Sequence, residues 1–246
     1  MTGTFVDDKT SEANCFKVSR HESFDARSEC STTSGGTNVA RLNSFSDQDE
    51  VDFVQTLTFV DWDDTLCPTT WLQEQELLQG DFVVGVEHME WLEKLAIRAE
   101  RTLRLALQFG RVVIVTNAQQ GWVEKCCTEI MPSLSEVLDD VDVISARSTY
   151  ETCSDCPSEW KRLAFEQELL LGASVAQYNV LSLGDSMHEQ RALVSLCQTK
   201  RNCFGKSIKF LEAPSIEQLI EQHDFVVSCF LEVAEHNGNL DVEIAL

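Results

Sequence analysis

Basic residues are scarce in this chain: 19 Lys and Arg stand against 41 Asp and Glu, a net charge of −22. A nucleic-acid backbone is therefore not expected as the main partner, because binding one replaces condensed counterions with clustered Lys and Arg. The acidic field also repels anionic substrates at long range, so any site that handles phosphate needs a local cation, either a metal or a fixed base. Long apolar runs are lacking too. None reaches the roughly eighteen residues of a membrane-spanning helix, so no membrane partner is expected. The opening residues, MTGTFVDDKTSEANCF, carry no basic start and no long apolar run, unlike a secretory leader. The cytosol, or the nucleus, is the expected compartment. No internal repeat is visible.

Cysteine is plentiful, with ten residues. They are scattered, and Cys126, Cys127, Cys197 and Cys229 fall inside apolar helical stretches, which reads as reduced, packed thiols. Cys153-Ser154-Asp155-Cys156 is a lone CxxC. A zinc knuckle needs two more ligands at suitable spacing and none follows nearby, so a plain loop is expected.

Residues 1–50 are rich in Ser, Thr, Asn and Asp, and SECSTTSGGTN has almost nothing to bury. They read as a disordered arm, with a single domain over 51–246. There, short apolar runs alternate with helical patterns. VQTLTFV (54–60) reads as a buried strand. Met89, Leu92, Ala96, Ala99, Leu103 and Ala106 recur at spacings of three and four, one face of a helix over 87–109, with Gly110 at its stop. Further strands are expected at 111–116, 141–146, 178–184 and 206–212. Helices are expected at 122–131, at 158–171 with Ser158 as N-cap and Gly172 as stop, at 187–198 and at 215–236. Strand runs that are nearly continuously apolar, alternating with helices, predict a three-layer α/β fold: a doubly wound, Rossmann-like parallel sheet covered on both faces.

In such sheets the active crevice lies beyond the carboxyl ends of the strands. Asp61-Trp62-Asp63-Asp64-Thr65 follows the first strand, Thr116-Asn117 the second, Ser145-Ala146-Arg147-Ser148 the third, and Gly184-Asp185-Ser186 the fourth, with Glu189 just beyond. Carboxylates gathered this closely cannot all stay charged without a counter-ion. A hard divalent cation meets that need, and Mg²⁺ is the usual one where phosphate also binds.

FVDWDDTL (59–66), VVIVTN (112–117), SEWKRLAF (158–165) and LSLGDSMHE (181–189) together resemble the motifs of the haloacid dehalogenase superfamily of phosphohydrolases, in that family's order. Each lies behind the expected strand or on the expected helix. The family's pattern of two Asp separated by one residue, then Thr two further on, fits Asp61, Asp63 and Thr65. It fails from Asp64, whose second neighbour is Leu66. Asp64 then occupies a slot that in the family is often Gly in small-molecule members and acidic in some protein phosphatases.

The resemblance implies a role for each residue. Asp61 would attack phosphorus and form an aspartyl-phosphate. Asp63 would be general acid and then base, and in an extended segment positions 61 and 63 point the same way. Thr116 and Lys161 would hold and neutralise the phosphoryl group, with Arg162 as the fallback for Lys161. Thr65, Asn117 and Arg147 would help bind substrate, although Arg147 equally fits a structural salt bridge. Mg²⁺ would be held by Asp61, Asp63 through its carbonyl, Asp185 and Glu189. About 45 residues separate Leu66 from Arg111 and a long helix takes half of them, so no separate cap domain is expected, only a small flap. Capless members of the family have open sites and often take bulky substrates. Trp62 and Trp71 flank that mouth, as an aromatic rim or as core.

The reading is thus a Mg²⁺-dependent phosphatase acting on a phosphoprotein or another bulky phosphoester. Its rivals are a small-molecule phosphatase for nucleotides or sugars, and a catalytically idle relative serving as a binding module.

Overall fold

A computed structural model of the chain describes residues 54–78, 84–171, 177–200 and 202–244. The expected arm at 1–50 and the helix stop at Gly172 lie outside them.

Six strands form one sheet in the order β3-β2-β1-β4-β5-β6, every neighbouring pair parallel. They are β1 (Val54–Val60), β2 (Arg111–Thr116), β3 (Asp142–Ser145), β4 (Gln177–Gly184), β5 (Cys203–Lys209) and β6 (Leu240–Glu243). The helices are α1 (Thr69–Glu74), α2 (Val86–Phe109), α3 (Trp122–Glu129), α4 (Ser135–Leu138), α5 (Ala146–Tyr150), α6 (Pro157–Leu171), α7 (Met187–Thr199) and α8 (Ile216–Glu235). The α/β three-layer arrangement is the one expected, and no separate cap domain interrupts it among the described residues.

Strand alternation builds two cores. Val60, Val112, Ile114, Leu181 and Leu183 point to one face and pack with Leu92, Ala96, Ala99 and Leu103 of α2, and with Leu219, Val226 and Phe230 of α8. Leu57, Phe59, Val113, Val115 and Val180 point to the other and meet Ala164, Phe165 and Leu169 of α6 and Leu193 and Leu196 of α7. Neighbouring residues of one strand face opposite ways, so a continuous apolar run is what a sheet covered twice needs. Phe59 and Phe165 stack with ring centroids 3.8 Å apart, which fixes α6, the helix carrying Lys161, against β1.

Several boundaries differ from expectation for identifiable reasons. Strand β5 spans 203–209 rather than 206–212; Gly205 disguises its start. Strand β6 was not expected, because Leu-Asp-Val-Glu is short, half acidic and at the sheet edge. Helix α6 begins at Pro157, so Ser158 is not its N-cap. Proline suits a first turn, where its missing N–H has no acceptor to lose, and the Ser158 hydroxyl instead meets Nδ1 of His188 at 2.5 Å. Gly110 does end α2, but in an extended conformation (φ 162°). Its glycine identity follows from contact: a Cβ there would lie 2.1 Å from the carbonyl oxygen of Thr56.

Candidate functional site

The strand order reverses direction between β1 and β4, which opens a crevice at their carboxyl ends. The ladder runs one residue past β1, where the Asp61 amide donates to the Leu183 carbonyl at 2.9 Å. The chain then turns tightly around one acceptor. The Trp62 carbonyl receives the amides of Leu66 and Cys67, both at 2.9 Å, and that of Thr65 at 3.4 Å. The turn places Asp64 at φ 53°, a left-handed conformation that Asp tolerates better than most residues with a Cβ.

The three aspartates therefore part company. Asp61 is buried, and its Oδ1 lies 2.7 Å from Lys161 Nζ. Asp63 is half-buried. Its Oδ1 accepts from the Thr69 hydroxyl at 2.6 Å and the Trp122 indole at 2.9 Å, and its Oδ2 from the Thr116 hydroxyl at 3.1 Å. Asp64 turns toward α1, accepting from the amide and the hydroxyl of Thr70 at 2.8 and 2.5 Å.

Lys161 lies in the first turns of α6, 2 % exposed, between Asp61 and Glu189. Glu189 Oε2 accepts from the Ser186 amide at 3.0 Å and hydroxyl at 2.7 Å, while Oε1 meets Lys161. Ser186 and Glu189 thus form a reciprocal cap at the start of α7. Gly184 permits this approach, since a Cβ there would stand 2.5 Å from Glu189 Cγ.

Asp61, Asp185 and Glu189 each offer an oxygen within 4.8 Å of the others. Burial pushes the Asp61 carboxyl well above the usual carboxylate range against the pull of Lys161, and Glu189 and Asp185 add to the rise. Burial, Glu189 and Asp64 push Asp185 up to about 7. Glu189 is also opposed by burial, but the charge of Lys161 and bonds from Lys161 and Ser186 hold it below its ordinary value. For Lys161 burial works against the charge, and Asp61 and Glu189 outweigh it and keep the ammonium. Lys161 thus lies among three carboxyls, and Lys209 adds a weaker pull on Asp185 alone. A hard divalent cation with oxygen ligands fits this donor set and its deficit of positive charge.

Other expected residues take varied positions. The Thr116 hydroxyl also accepts from the Ala118 amide at 2.9 Å, so it ties the end of β2 to Asp63. Asn117 reaches the Pro157 carbonyl at 3.4 Å, joining β2 to the start of α6. The Thr65 hydroxyl is fully buried and unpaired. Arg147 lies exposed on α5, 3.2 Å from Glu151, so it forms the salt bridge rather than joining the carboxylates. Arg162 pairs with Glu159 and Glu166 along α6 at 2.9 and 2.6 Å. Trp62 is core, 0 % exposed, and Trp71 packs half-buried against it. Among the described residues, Cys153 and Cys156 belong to no group that could hold a metal.

Four contributors were missed. Thr69 and Trp122 hold Asp63, and nothing in their spacing marks them. Lys209, at the end of β5, donates to the Asp185 carbonyl; a strand placed three residues too late hid its position. His223 of α8 is buried, with Nε2 donating to the Thr65 carbonyl and Nδ1 accepting from the Thr102 hydroxyl, each at 2.9 Å. A carbonyl only accepts, which assigns the proton to Nε2. Burial pushes His223 down to about 4.

An open recess of about 200 Å³ begins at Thr116 and is lined by Gln119, Gln120, Glu124, Ser145 and Thr149. No helix among the described residues is long and apolar enough to cross a membrane. Comparison with known proteins finds no matching family model, curated protein or solved structure.

Proposed function

We propose that this chain is a Mg²⁺-dependent phosphatase that works through an aspartyl-phosphate on Asp61. The observation that carries the reading is the contact of Asp61 with Lys161 inside a cluster of three carboxyls, at the crevice of a parallel sheet. Two motif carboxylates in the order of the haloacid dehalogenase superfamily support it, as does the cation requirement of an acidic chain.

Asp61 attacks phosphorus in line, and the bond to the leaving oxygen breaks as Asp63 hands that oxygen a proton. Asp63 then takes a proton from the water that hydrolyses the acyl-phosphate, regenerating both carboxyls. A carboxylate is a weak nucleophile, so its placement matters, and Lys161 holds it. Three neutral donors, Thr69, Thr116 and Trp122, hold Asp63 for the proton transfers. Mg²⁺ bound by Asp61, Asp185 and Glu189 would offset the repulsion between these carboxyls and the phosphoryl oxygens. With no cap domain among the described residues, the strand-end crevice stays open to a bulky phosphoester such as a phosphoprotein. A nucleotide or sugar phosphate is the second reading.

The test is hydrolysis of p-nitrophenyl phosphate with and without Mg²⁺, beside Asp61→Asn, followed by phosphopeptide and metabolite panels. Metal-dependent turnover that vanishes in the variant is expected. Equal turnover in both proteins would remove Asp61 as nucleophile. A folded wild type that binds Mg²⁺ and turns nothing over would favour a binding module.

A further inference from the structure

Two thiols meet away from the carboxyls. Cys197 lies near the end of α7 and Cys203 opens β5, and their sulfurs are 3.1 Å apart. Residues 203 and 205 share a face of the strand, and that face looks toward α7. A Cβ on Gly205 would come within 2.7 Å of Cys197 Sγ, so the glycine leaves the space that this sulfur fills. Leu193 and Leu196 pack around the pair. Cys203 is buried, while Cys197 is partly open to solvent.

We infer that Cys197 and Cys203 are a disulfide-forming pair, oxidised by a low-molecular-weight disulfide such as oxidised glutathione. A disulfide needs its sulfurs at about 2 Å, so the two must close by roughly another 1 Å, within the reach of side-chain rotation in a last helical turn. Cys197, the accessible partner, loses its proton and attacks the small disulfide, releasing one glutathione thiolate and leaving a mixed disulfide. Cys203 then loses its proton, attacks the Cys197 sulfur and expels the second glutathione. Two protons and two electrons leave the protein, and one small disulfide becomes two thiols. The Cys203 sulfur beside it, and burial, hold the Cys197 thiol well above the ordinary range, so exchange is slow at neutral pH and faster in base. The bond would clamp α7 to β5 about 12 Å along the helix from Glu189. It does not depend on the phosphatase reading.

The full chain is reduced, freed of reductant, exposed to oxidised glutathione near pH 8.5, alkylated and digested with trypsin without reduction. Lys200 and Arg201 lie between the two cysteines, so their peptides separate unless they are bonded. The wild type is expected to give the joined peptides, and oxidation is expected to raise its thermal midpoint. Cys203→Ala is expected to stop at a glutathione adduct on Cys197, and Cys197→Ser, at the more open position, to give neither product at this site. Alkylation of both thiols in folded, glutathione-treated wild type would overturn the inference. So would a lasting glutathione adduct on wild-type Cys197, or a bond confined to Cys153 and Cys156.

Discussion

His223 makes stability depend on pH with a definite sign. Its ring is buried between α2, α8 and the turn after β1, with both nitrogens engaged by neutral groups. Burial lowers it from 6.5 to about 4, so between those values the unfolded chain binds a proton that the folded chain refuses. Its contribution is complete above pH 6.5 and is lost as the pH falls toward 4. At about 1.4 kcal/mol per pH unit the whole interval amounts to about 3 kcal/mol, and the step from pH 7 to pH 5 to about 2 kcal/mol. Asp61, Asp64 and Asp185 are shifted upward and act in the opposite sense, favouring the fold as the pH falls. A comparison with His223→Gln cancels them, since both proteins carry them. Gln keeps an amide donor for the Thr65 carbonyl and does not titrate. Urea unfolding of both proteins near pH 7 and pH 5 should show the wild type losing about 2 kcal/mol more than the variant. Parallel losses would mean that His223 accepts a proton in the folded state, and the neutral bridge would be wrong.

Three further outcomes follow from the same geometry. Gly110→Ala should cost about 1–3 kcal/mol or more, read as a lower urea midpoint at unchanged slope, because the new methyl meets the backbone of β1 rather than a yielding side chain. Mg²⁺ at about 100 times its dissociation constant should stabilise the wild type by about 2.7 kcal/mol; a thermal shift with and without the metal measures this, and Asp185→Asn should abolish most of it. Lys161→Met should remove turnover and cost about 3 kcal/mol near pH 7, since it leaves Asp61 and Glu189 buried without their cation. That cost should shrink at lower pH as the carboxyls take up protons, which urea unfolding near pH 5 would show.

The sheet was legible because its strands are buried on both faces and their apolar runs stand out from the helical period. The same rule failed at the edges. Leu240–Glu243 has one solvated side and alternates with acids, so it carries little apolar signal, and Gly205 broke the run that begins at Cys203. Short helices such as α1 and α5 are held by local side-chain bonds, Thr70 on Asp64 and the Ser145 cap on Ser148, rather than by an apolar period.

The site divides along a similar line. Residues directly behind strands were readable, because parallel topology delivers strand ends to one edge whatever the packing. Residues that arrive from the flanking helices were not. Trp122 reaches Asp63 across 59 positions and His223 reaches Thr65 across 158, and neither neighbour is marked by spacing or type. Glu189 of α7 and Lys161 of α6 are the exceptions: the first stands just past a strand end, and the second was placed by a motif order. The triple aspartate shows why both kinds of information are needed. Chemistry alone asks why three like charges follow a buried strand. The fold separates them: Asp61 goes to an ammonium, Asp63 to three neutral donors, and Asp64, in a left-handed turn, to the start of α1. Only the first two face the lysine and the hydroxyl that a phosphoryl group would need. The third, at the left-handed position of that turn, ties it to the start of α1.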